Sequence, residues 1–164
     1  MQTLVIIHAF IIGRLDYCNS LLYGLPSVHL SKLQCVQNSA AKLVCNISRY
    51  DHITPVLYSL HWLLVQYRIR FKILILTFKA IHGLLPEYIS NLISVKVVSK
   101  YSLSSNGGLL LNQPSTRLWK TEGTDLLHLL PSTLGNKLPA HLRNMDNFIN
   151  YKFSLKTHLF RTAF

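Results

Sequence analysis

Apolar residues recur at helical spacing through the first half of this chain, and glycine, proline and short polar loops punctuate it. That pairing constrains the fold most. An amphipathic stripe must find a partner surface, and a breaker fixes where the chain turns back to supply one. Residues 3–23 are apolar with helical spacing, weakened at Gly13 and ended by Gly24-Leu25-Pro26. Ser27 is the expected N-cap of the next helix. There Leu30, Leu33, Val36, Ala40, Leu43, Val44 and Ile47 mark an apolar face, with Gln34, Asn38 and Lys42 on the other side. The small pair Ala40-Ala41 leaves room for a neighbouring helix. Thr54-Pro55 offers a cap and a first-turn proline for a short helix over 56–60. The longest helix is expected over residues 64–82, with Gly83 as its left-handed cap. Pro86 opens another, with Glu87 placed well for the helix dipole.

The pattern then changes. Residues 94–116 gather Ser, Asn, Gly and Gln and lose the helical period; Val95, Val97, Val98 and Leu109 to Leu111 favour extended structure around a Gly107-Gly108 turn. Helical signals return with one turn after Pro139 and a terminal helix over 147–160, for which Asp146 is the expected cap. Its apolar positions are Phe148, Ile149, Phe153, Leu155, Leu159 and Phe160. The expected fold is mainly α: a small helical bundle, an irregular linker with room for a short β-hairpin, and a short C-terminal helical segment. The expected divisions are a helical domain over 1–93, a linker over 94–116 and an extension over 117–164.

Composition narrows the function. With 49% hydrophobic residues the chain is too apolar for a disordered tail. Every apolar run is cut well short of the roughly 18 residues a membrane span needs. Residues 4–12 lack the basic start and small-residue cleavage site of a secretory signal, so an intracellular protein with no membrane partner is expected. The three cysteines form no C-x-x-C pair and read as reduced, buried thiols; no metal site and no cofactor are expected. Only six acidic residues are present, no two adjacent, against seventeen Lys and Arg, for a net charge of +11. Two-metal polymerase or nuclease chemistry needs several converging carboxylates. Gly-rich phosphate loops and the G-x-S-x-G elbow are missing as well. A noncatalytic chain with a polyanionic partner is the expectation.

Candidate phosphate contacts follow from helix geometry. Arg68, Lys72 and Lys79 project within about 40° of one another on the long helix, beside an apolar stripe of Val65, Ile69, Ile73, Leu76 and Ala80. Arg117 and Lys120 bracket Trp119. Lys152 and Lys156 lie one turn apart on the terminal helix. Trp62 sits in an apolar string and reads as core. Asp16 is expected to pair with Arg14 or to cap backbone groups.

Long ordered strings carry a resemblance. RLDYCNSLLYGLP (residues 14–26), LQCVQNSAAKLV (33–44), YDHITPVLYSLHWLLVQYRIRFKILILTFKAIHGLLPEYISNLI (50–93), NKLPAHLR (136–143) and YKFSLKTHLFRTAF (151–164) resemble the C-terminal end of reverse transcriptases from LINE-type, non-LTR retrotransposons of the jockey-like and chicken-repeat-like group. The resemblance implies the region after the polymerase palm: a helical thumb that grips template–primer backbone, and a C-terminal extension. It implies RNA–DNA hybrid or single strands as partners, together with the fingers and palm that this chain lacks. The palm's paired aspartates have no counterpart here, in keeping with the scarcity of acids.

The chain departs from that family's usual pattern. Leu64 stands where the family has a proline, Gly135 where it has a tryptophan, Ile6 and Ile7 are additional, and residues 122–130 match poorly. Such changes are expected of a degenerate transposon copy with no present activity. The exposed apolar start of the chain would instead suit a host-adopted protein-interaction module.

Overall fold

The computed structural model describes residues 2–91, 93, 110–112 and 131–164. The elements are α1 (Gln2–Ile7), a π-turn (His8–Ile12), α2 (Gly13–Asp16), a 3₁₀ turn (Asn19–Leu22), α3 (Ser27–Cys45), α4 (Thr54–Ser59), α5 (Val65–Ile81), α6 (Glu87–Ser90), helical residues 131–135, α7 (Ala140–Arg143) and α8 (Phe148–Ala163). The described residues are thus mainly helical, as expected. Most of the expected linker and hairpin lies outside them.

The chain forms two compact units, one of Met1–Lys72 with Lys156–Phe164 and one of Ile73–Leu155. They are interleaved along the sequence, whereas the sequence pattern suggests a serial division.

The first unit is built around Ile7, Ile12, Ala40, Ala41, Leu57 and Trp62, with Ile11, Leu15, Val44, Ile53, Val56, Leu60 and Leu64 packed about them. Residues five apart in a regular α-helix point about 140° away from each other. The π-turn between Ile7 and Ile12 widens the helix, and the Gly13 N–H reaches back to the His8 carbonyl. Both isoleucines are therefore buried, while Val5, Ile6 and Phe10 stay exposed.

Helix α3 turns inward a face that shares Ala40 and Val44 with its apolar stripe but is shifted toward Gln37 and Ala41. Gln37, Ala40 and Ala41 are its buried residues, while Val36 and Leu43 are 48% and 67% exposed. The reason is polar. The Gln34 Oε1 accepts the Val65 N–H at 2.9 Å, and the Gln37 Nε2 donates to the Leu63 carbonyl at 2.8 Å. Two glutamines of α3 thereby hold the start of α5, satisfying one of its orphan N–H groups. Leu64, with no proline's fixed φ, precedes a helix start that α3 sets instead.

Several caps differ from expectation. Pro26, with ψ 144°, is the entry residue of α3, and Ser27 lies inside the helix without a side-chain cap. Ile53 is already helical, so Thr54 lies within α4. At α8 the cap is Asn147 rather than Asp146: its Oδ1 accepts the N–H groups of Ile149 at 2.9 Å and Asn150 at 3.3 Å. Helix α4 ends with His61 in the left-handed region, φ 53°. The His61 N–H bonds to Tyr58 and the Trp62 N–H to the Leu57 carbonyl, both at 3.0 Å. This Schellman closure directs the Trp62 side chain into the core. The same unit brings the end of α8 against α4: Phe160 lies 5.2 Å from Tyr58 and stacks on His61 at 5.7 Å between ring centroids.

In the second unit, Phe78 stacks on Tyr151 at 4.3 Å and lies 5.9 Å from Phe148. The Tyr151 hydroxyl donates to the Leu74 carbonyl, and burial pushes its pKa upward. Gly83, at φ 66°, closes α5 as expected: the Leu84 N–H reaches the Lys79 carbonyl at 2.8 Å and the Gly83 N–H reaches Ala80 at 3.2 Å. The Asn136 amide pairs with both backbone groups of Leu111, at 3.0 and 3.1 Å, as a neighbouring strand would. Gly135 is buried, and a Cβ placed there would stand 3.2 Å from the flexible end of Leu111.

Candidate nucleic-acid interface

The cations proposed from the sequence separate into those already engaged and those exposed. Arg68 is engaged. Its side chain is 13% exposed, and one Nη1 donates to both Asp16 carboxylate oxygens at 2.9 Å. Its Nε donates to the Leu63 carbonyl at 2.9 Å. Asp16 therefore pairs with Arg68, 52 residues away in sequence, and not with its neighbour Arg14. This is the one salt bridge among the described residues. Lys79 is half-buried, with its Nζ 5.0 Å from the centre of the Phe148 ring, within cation–π range. Lys72 is exposed. The helical projection groups the three cations, but the structure gives Arg68 and Lys79 partners of their own.

Arg117, Lys120 and Trp119 lie outside the described residues. Trp62, only 7% exposed, is core.

Helix α8 presents the clearest free cationic surface. Tyr151, Leu155 and Leu159 are its buried residues. Their spacing of four defines the inward stripe, to which Tyr151 belongs although it is not among the apolar positions expected from the sequence. Ile149 and Phe153, expected to be apolar anchors, instead face out at 62% and 68% exposure. Lys152 and Lys156 are exposed beside them. Projected down the axis, these four side chains fall within about 100° of one another. Two ammonium groups one turn apart can each meet a phosphate. The spacing that buries Tyr151 is the signal that could have shown Phe153 facing solvent.

The remaining chemistry is sparse. Among the described residues no group of three His, Cys, Asp or Glu is placed to hold a metal ion. Cys18 and Cys35 are exposed and Cys45 is half-buried, contrary to the expectation of buried thiols. Cys35 and Cys45 lie on α3, which turns other residues inward, and Cys18 sits in the turn ahead of Asn19–Leu22 with φ 50°. No helix among the described residues is long and apolar enough to cross a membrane.

Comparison with protein-family models, with characterised proteins and with solved structures gives no match.

Proposed function

We propose that this chain is a noncatalytic nucleic-acid-binding module that grips phosphate backbone without reading sequence. Its type is the thumb and C-terminal extension of a LINE-type reverse transcriptase. The observation that carries this reading is the outward face of α8, where Lys152 and Lys156 stand beside an exposed Phe153. A net charge of +11 supports it by drawing the chain to any polyanion. The long strings from residue 14 to 164 support the parentage. On this reading the partners are RNA–DNA hybrid or single strands, with the polymerase's fingers and palm as the protein partner. The working place is inside the cell, in nucleus or cytoplasm. Phosphate gripping uses no cofactor.

Charge reversal tests it. The double variant Lys152→Glu/Lys156→Glu should weaken binding to a labelled RNA–DNA hybrid or single strand and reduce the log–log salt slope by about 1.4 for single strands, two contacts at about 0.7 each. Both residues are exposed, so the thermal midpoint should hardly move. Anisotropy titrations over a salt series read the slope. Unchanged affinity and slope in the folded double variant would overturn the assignment of this face.

A further inference from the structure

Within residues 73–155 lies a cavity of about 420 Å³. That volume falls in the range of about 300–1,000 Å³ found for small-molecule sites. Its apolar walls include Leu74, Phe78, Leu138 and Leu142, and Gly135 contributes a wall with no side chain. The Asn136 amide fixes the Leu111 backbone at its edge, so this wall is held by hydrogen bonds as well as by packing.

The same cavity is lined by Arg143. The Arg143 Nε is shielded from solvent and has no hydrogen-bond partner. Asp146, also in the lining, is exposed and forms no salt bridge with it. A shielded guanidinium N–H without an acceptor is costly, and Arg143, partly exposed in the cavity lining, sets a fixed cation beside apolar walls, where it can meet an anionic group of an occupant.

We propose that this cavity binds a small amphiphilic carboxylate, with an aromatic or alkyl body between Phe78 and Leu138 and its carboxylate on Arg143. The cavity's apolar walls exclude a bare inorganic anion as the preferred occupant, and Arg143 selects against a neutral apolar one. The site is separate from the cationic face of α8, and its test does not involve nucleic acid.

The test is calorimetric titration of the full chain with 2-naphthoate and with its uncharged counterpart, 2-naphthalenemethanol. The carboxylate should bind saturably at one site per chain and more tightly than the alcohol. Arg143→Met keeps the length of the side chain and removes its charge. It should weaken 2-naphthoate about tenfold or more while changing the alcohol by less than about threefold. Gly135→Leu fills the cavity and should weaken both probes. Equal affinity of the two probes in the unmodified protein would overturn the proposal, and that comparison does not depend on any variant folding. Absence of saturable binding, an equal loss of both probes in Arg143→Met, or no loss of either in Gly135→Leu would overturn it too.

Discussion

Replacing Trp62 by alanine should destabilise the protein by about 3–5 kcal/mol. Trp62 is 7% exposed and sits among Leu57, Ala40 and Ala41 in the core of the first unit. The two alanines cannot swell to refill the space, so the cavity left by the indole would persist. Trp62 also closes α4, because its N–H is bonded to the Leu57 carbonyl at 3.0 Å; losing its side chain therefore loosens the anchor behind that closure. The loss is a large share of the roughly 5–15 kcal/mol that holds a domain folded. Trp62→Phe, which keeps most of the apolar volume, should cost markedly less. Urea denaturation monitored by circular dichroism gives both values. At temperatures where the alanine variant stays folded, its nucleic-acid affinity should match that of the parent. A drop in affinity with stability intact would mean that Trp62 stacks on bases and is not core.

The second large effect is expected at Phe78. This ring is 5% exposed and stacks on Tyr151 at 4.3 Å, with Phe148 and His82 also within aromatic range. Phe78→Ala should cost about 3–5 kcal/mol. It removes the transfer energy of a buried ring and, beyond that, aromatic contacts worth about 0.5–1.5 kcal/mol per pair. It also merges new empty space with a cavity already present on one side of the ring. Collapse is opposed by Tyr151, whose hydroxyl is tied to the Leu74 carbonyl. Phe78→Leu should recover a substantial part of the loss. Denaturation midpoints measure the series; a loss below about 1 kcal/mol for the alanine variant would show that the ring is not packed as described.

Much of the helical framework was legible because breakers act locally. Gly83 is left-handed at the end of α5, and Pro139 precedes the single turn Ala140–Arg143. Inward faces were less legible. In α3 the buried centre is Gln37, a residue that hydropathy assigns to solvent; only the Leu63 carbonyl across the unit explains its burial. In α8 the deciding residue is Tyr151, whose polar tip masks a buried ring. Caps failed for a related reason. Whether Asp146 or Asn147 caps α8 depends on one residue of register, and the composition of the stretch is the same for either.

The cationic site was legible as composition and not as geometry. A projection along α5 groups Arg68, Lys72 and Lys79, but it cannot see Asp16, which is 52 residues from Arg68 in sequence. Nor can it see the Phe148 ring beneath Lys79. Long-range partners decide which cations remain exposed, so on the proposed function Lys152 and Lys156 outrank Arg68 and Lys79 as candidate phosphate contacts. Arg68 acts as a strut between α2 and the start of α5.

The most direct measurement is the salt dependence of single-strand binding by the unmodified chain, followed by fluorescence anisotropy between about 50 and 200 mM salt. A phosphate-gripping module should bind at low salt and lose affinity with a log–log slope of about −1.4 or steeper, the release expected from at least two phosphate contacts. No binding at low salt, or an affinity flat across the series, would contradict a nucleic-acid role for this chain.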